Sequence, residues 1–245
     1  MESYDPEDEK IERLLQSVQN LKALHEDVCM TEHAMYERHK RYMPYEPTYF
    51  LYNYFCFNTV FSIDWEASIK EGTVQDGEQS EEKRIKKLID FCFSYSGFAD
   101  SFFPTFLEIV TVRFGVSEIT KAMESIVIDN KRIDDDFINS FKSACGKVLT
   151  EKGFTVRDLK TVFSFIYAVR CNIVHGTKSM QDMREPGQRT RILVYSYFII
   201  ALVHMLFMNL KCRIEGFYRA SMSESFLWRL KDYMLHYQIN ETHLR

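Results

Sequence analysis

Glycine and proline are scarce, nine and five in 245 residues. So few chain-breaking residues disfavour a strand-rich fold with many turns and favour long helices. The six cysteines, Cys29, Cys56, Cys92, Cys145, Cys171 and Cys212, show no Cys-x-x-Cys pair and no paired Cys/His spacing of a zinc site. Most sit in apolar runs and read as small core residues, which suits a reducing cytoplasm. Excess positive charge is missing too. The net charge is −4, so the chain cannot coat nucleic acid by bulk charge, and any RNA contact must come from a local patch. A Gly-rich phosphate loop, a nucleophile elbow, internal repeats and low-complexity tracts are all lacking. The first residues are acidic (Glu2, Asp5, Glu7, Asp8, Glu9), the opposite of a signal peptide.

Aromatics are plentiful. Phe, Tyr and Trp make up 15% of the chain, with 20 Phe and 14 Tyr, which predicts an aromatic-rich core. The length suffices for one large domain or two small ones, with a substantial interior. Helices are expected over 8–42, 48–70, 81–94, 101–114, 117–129, from Asp134 onward, over 156–176, 190–212 and 221–239. Pro44 and Pro47 are expected to end the first of these. Residues 71–82 read as a mobile surface loop. The acids Asp134, Asp135 and Asp136 read as a helix start favoured by the helix dipole rather than as a cation site. His33 and His39, six apart, are poorly spaced for two metal ligands on one helix face. Ile192 to Met208 is a seventeen-residue run without Asp, Glu, Lys or Arg, approaching the length of a membrane span. Tyr195, Ser196, Tyr197 and His204 within it favour burial in a domain or a dimer over contact with lipid.

The chain is organised around 156–176. Val156, Leu159, Val162, Phe163, Ile166, Val169 and Ile173 recur at three- and four-residue spacing, the stripe of a packed amphipathic helix. Gly176 suits the position just past its end. Arg170 and His175 therefore lie in or just beyond the last turns. An Arg, four residues, a His and a Gly at the end of a buried helix resemble the signature of the HEPN family, all-helical proteins of which many are metal-independent ribonucleases or toxins. The stretch 47–62, PTYFLYNYFCFNTVFS, resembles the family's earlier helix, an aromatic run leading into Phe57-Asn58 and Val60-Phe61. The resemblance implies an all-α, HEPN-like helical bundle in a single domain, 1–245. Its core would span about 45–94 and 156–213, with a helical insertion at 95–155 and a C-terminal helix within 214–245. One position departs from the pattern. The residue after the Arg, polar in active members, is Cys171 here, and the Asn follows at 172.

What the resemblance implies chemically agrees with what these side chains can do. Metal-free RNA cleavage needs a base for the ribose 2′-hydroxyl, a cation for the charged phosphorus transition state and an acid for the leaving 5′-oxygen. Histidine titrates near neutrality and moves protons. Arginine stays charged and holds phosphate oxygens with a two-pronged set of donors. Arg170, His175 and Asn172 are thus the candidate catalytic residues, with Asn172 orienting the ring or touching phosphate. Lys178 and Arg184 are candidate RNA contacts in a segment, 170–191, that carries five cations against two carboxylates. Asn58 is expected to be buried, hydrogen-bonded and bracing the site. Residues five apart on a helix are separated by about 140°. Arg170 and His175 converge only if His175 leaves the helix or if two copies meet, and a homodimer is the expected assembly. The expected activity is a cytoplasmic endoribonuclease in toxin or antiphage defence, acting on RNA, needing no metal or cofactor, and regulated by an antitoxin or other protein. Thr177 stands where some family toxins carry a Tyr that a partner enzyme modifies. The competing expectation is an inert HEPN-like module for dimerisation or partner binding, which Cys171 favours.

Overall fold

The computed structural model describes residues 6–21, 46–77, 80–94, 97–111, 115–126, 133–150, 154–175, 185–217 and 226–236. The regular elements among them are all helices. They are α1 (6–21), α2 (Glu46–Phe61), α3 (Trp65–Glu71), α4 (Glu81–Phe93), α5 (Phe98–Thr111), α6 (Val116–Glu124), α7 (Asp135–Leu149), α8 (Val156–Val174), α9 (Pro186–Phe217) and α10 (Phe226–His236). The all-α expectation holds.

α9 is the axis. Every residue from Arg191 to Val203 is buried, as a helix apolar on all sides requires. It passes for a membrane span by length and composition, but 89% of its most apolar window is covered by other helices. α2, α5, α6 and α10 pack around it, and α7 and α4 flank α8. Phe106 stacks on Phe198 at 4.2 Å, joining α5 to α9. Phe141 stacks on Phe165 at 3.9 Å, joining α7 to α8, and Tyr195 meets both of those rings edge-on. The helices of 95–155 thus contribute to the same hydrophobic cluster as α2, α4, α8 and α9. Trp65 ties α3 to α4, α9 and α10 through Phe91, Phe207 and Phe226, and its indole N–H donates to the Val60 carbonyl at 3.0 Å.

Several boundaries differ from the sequence expectation, each for a local reason. The helix expected over 48–70 is two. Asp64 interrupts it, capping α3 by accepting from the Ala67 N–H at 3.1 Å. Pro47 lies in the first turn of α2, which does not need its N–H. The 71–82 loop is tied down along its first half. Gly72 ends α3 at φ 74°, Asp64 N–H donates to Gln75, Gly77 N–H donates to Ser62, and Val74 is buried. α6 begins at Val116, one residue before the expected start, with Gly115 as its cap. Asp134 opens α7 as expected, accepting from Phe137 N–H at 2.8 Å. Of the long first helix, 22–42 lies outside the described residues, as do His33, His39 and Pro44. Within α1, Ile11, Leu14, Leu15 and Leu21 are buried.

α8 begins with a capping box. Asp158 accepts from the Thr155 N–H at 2.8 Å and its hydroxyl at 2.7 Å, while the Asp158 N–H points back to the Thr155 oxygen. Lys147 on α7 adds a 2.7 Å ion pair. Burial opposes the Asp158 charge, but the bonds from Lys147 and Thr155 outweigh it and hold the carboxyl below the usual carboxylate range. A depressed folded pKa means stability that is present above the unfolded value and lost as pH falls through the folded one. Asp158→Asn is therefore expected to lower stability by about 1 kcal/mol at neutral pH. The difference from wild type should shrink in steps below about pH 4, read by urea unfolding across that range.

Candidate functional site

The last two turns of α8 carry Tyr167, Arg170, Cys171, Asn172 and His175. Up to Ile166 the helix is clamped by Phe57, Phe141 and the capping box. Beyond it the covering thins, and Tyr167 to Arg170, Ile173 and Val174 are all half-buried or exposed.

Arg170 turns toward α2 and the start of α4. Its guanidinium carbon lies 5.4 Å from the centre of the Tyr54 ring, within cation–π range. Its Nη1 is 3.6 Å from Glu81 Oε2 and 4.0 Å from Cys171 Sγ. Its Nε is buried without a hydrogen-bond partner, and so is the Tyr54 hydroxyl. Burial alone would make Arg170 easier to deprotonate, but Cys171, Glu81 and Tyr54 push the other way, and the net shift is upward. It is a permanent cation. Burial, reinforced by Glu81 and only partly opposed by Arg170, pushes the Tyr54 phenol far above its usual range, so it stays protonated.

His175 is exposed and forms the C-terminal boundary of α8. Its N–H still donates to the Cys171 carbonyl at 2.9 Å, while its own φ of −86° and ψ of 8° depart from helical values. Among the described residues no hydrogen bond or ion pair joins Arg170 to His175, and the imidazole projects into solvent. Asn172 is buried, at 4% exposure, unlike the exposed His175. Lys178, Arg184 and Gly176 lie outside the described residues.

Two cations of the expected basic patch are structural instead. Arg189 is paired with the buried Glu46, fastening α9 to the start of α2. Arg191 donates to the Ala122 carbonyl at 3.0 Å, the Ser125 hydroxyl at 2.8 Å and Gln188 at 2.7 Å. Neither is a solvated cation awaiting RNA. Asn58 is half-buried and accepts from Ser62 on the next turn at 3.3 Å, a bond within its own segment rather than to α8. The buried Asn of that helix is Asn53, whose two amide atoms lack partners. Tyr54 and Glu81 belong to the site but were not singled out by sequence. Tyr54 sat in an aromatic run that reads as core, and Glu81 read only as the first turn of a helix.

Cys56, Cys92, Cys145 and Cys171 are buried free thiols. Burial pushes the Cys56 thiol up to about 11.

No family model, no curated protein and no solved structure matches this chain.

Proposed function

We propose that the chain is a metal-independent endoribonuclease of the HEPN type, acting as a homodimer in the cytoplasm, in a toxin or antiphage defence role. The observation that supports it is the presence at one helix end of both an exposed imidazole and a guanidinium whose donors are incompletely used. These are the two groups that phosphodiester transesterification requires. His175 moves the proton between the 2′-hydroxyl, solvent and the leaving 5′-oxygen. Arg170 holds the non-bridging oxygens as charge builds on them. The products are a 2′,3′-cyclic phosphate and a 5′-hydroxyl.

The homodimer belongs to this reading, because residues five apart on a helix are separated by about 140° and, among the described residues, no bond joins Arg170 to His175 within one chain. With the two side chains on different faces of one α8, a second α8 brings an Arg and a His together across the interface. The exposed large hydrophobics among the described residues fit such an interface. They are Tyr52 and Phe55 on α2, at 43% and 54% exposure, and Val174, next to His175, at 47%. Phe55→Glu is expected to halve the solution mass measured by light scattering and to lower cleavage. As a surface change it should move the melting temperature by no more than about 2 °C.

The test of the activity is RNA incubated in EDTA with rigorously purified wild-type, Arg170→Ala and His175→Ala proteins. Cleavage by wild type alone is the expected result, and variants that still cut overturn the reading. A second reading, an inert dimerisation or partner-binding module, is favoured by Cys171, whose buried thiol stands beside Arg170 where active members have a polar group. A folded wild type that cuts no RNA but captures a partner protein supports it.

A further inference from the structure

We propose that Glu81 occupies the anion-receiving position of Arg170 in the free protein, and that a phosphate of the substrate must displace it. The inference deepens the ribonuclease reading and rests on it for the identity of the anion.

The arginines of this molecule differ in how well they are satisfied. Arg191 has a close acceptor on each of its nitrogens, between 2.7 and 3.0 Å. Arg229 reaches Asp8 at 2.6 Å and Glu7 at 3.2 Å. Arg170 has five N–H donors to place. Its acceptors are a carboxylate oxygen at 3.6 Å and a thiol at 4.0 Å. A charge-assisted N–H···O bond is about 2.7–2.9 Å long. The Glu81 contact is therefore an ion pair without a good hydrogen bond. Burial against Tyr54 takes one face of the guanidinium out of water without supplying an acceptor to Nε.

Glu81 has its own reason to stand there. It opens α4, where the helix amides favour a negative charge. Its position is set by the helix start and its distance from Arg170 follows from that, which accounts for the loose pair. Its side chain is 24% exposed and that of Arg170 21%, so solvent reaches both and the carboxylate has room to swing away. The neighbouring Glu82 is engaged elsewhere, with Lys86 at 2.6 Å and the Ser164 hydroxyl at 3.1 Å.

Two anions cannot share the guanidinium without repelling each other. A phosphate that takes the Arg170 donors gains bidentate bonds that Glu81 does not make, and it must overcome Glu81 to do so. Glu81 is thus a positioning residue. It keeps Arg170 seated over Tyr54 when no substrate is bound, and it raises the threshold that any anion must pass.

The probe is a fluorescent single-stranded oligonucleotide of 2′-O-methyl ribose, which binds as RNA but has no 2′-hydroxyl to attack. Its dissociation constant is measured for the full chain as wild type, Glu81→Gln, Glu82→Gln and Arg170→Ala, and for the Glu81→Gln, Arg170→Ala double variant. Glu81→Gln is expected to bind roughly three- to tenfold tighter than wild type. Glu82→Gln, which removes the same charge one residue on, should stay within about twofold. In the Arg170→Ala background the gain from Glu81→Gln should vanish. Glu81→Ser, which also suits a helix start, should reproduce the gain and guards against a folding defect peculiar to Gln. No gain from either Glu81 variant, an equal gain from Glu82→Gln, a gain that survives loss of Arg170, or no binding by any protein overturns the inference. Because the probe cannot be cut, the two claims fail separately. Cleavage of natural RNA without the Glu81 effect removes only this inference. The Glu81 effect without cleavage removes only the ribonuclease reading.

Discussion

Arg170→Ala and His175→Ala proteins are expected to cleave RNA at least roughly a hundredfold more slowly than wild type, each through a different loss. On the proposed mechanism His175→Ala removes the proton carrier. It leaves the melting temperature almost unchanged, because the side chain is exposed and bonds to nothing in the described structure. Arg170→Ala removes the charge that the proposed mechanism sets against the transition state, and it leaves Glu81 without its partner. Arg170→Lys keeps the charge but not the fork, and should recover only part of the rate. Mixing the two alanine proteins adds a sharper prediction. In the proposed homodimer, a heterodimer of Arg170→Ala and His175→Ala chains would retain one cleft built from the intact Arg of one copy and the intact His of the other. Mixed samples should regain activity that neither parent has, and single-turnover rates across mixing ratios measure it.

The second large effect is on stability. Phe165→Ala removes the ring that stacks on Phe141 and meets Phe137 and Tyr195, in the fully buried junction of α7, α8 and α9. A Phe-to-Ala change at such a site costs about 3–5 kcal/mol, a cavity term included. For a domain of this size the melting temperature should fall by on the order of 10 °C. Differential scanning calorimetry checks it. Phe165 lies just over a turn before Arg170 on the same helix, so cleavage by the variant should follow the folded fraction. A loss of cleavage with unchanged melting would place the ring in the chemistry instead of the core.

The legible parts of the fold were those whose signal is local. The apolar stripe of α8, the acid that opens α7 and the charge-free run of α9 each state their own burial. The break between α2 and α3 was local too. Asp64 before Trp65-Glu66-Ala67 is a helix-start pattern, but the aromatic periodicity on both sides masked it. Other features depend on partners distant in the chain. Arg189 and Arg191 look like solvated cations in a basic segment, and only the approach of Glu46 and α6 makes them structural. The same holds at the site. Arg170 and His175 stand out by spacing, whereas Tyr54 and Glu81 are ordinary members of their own helices until packing sets them against the guanidinium. A charge count registers how many cations a segment carries, not which of them already have an acceptor.

The most direct measurement of the central claim is the chemistry of the cut ends. Wild-type protein is incubated with a defined single-stranded RNA in EDTA, and the fragments are resolved by mass spectrometry. Fragments ending in 2′,3′-cyclic phosphate and 5′-hydroxyl, absent with His175→Ala, are the predicted result. Fragments ending in 3′-hydroxyl and 5′-phosphate, or cleavage that appears only when a divalent cation is restored, would contradict it.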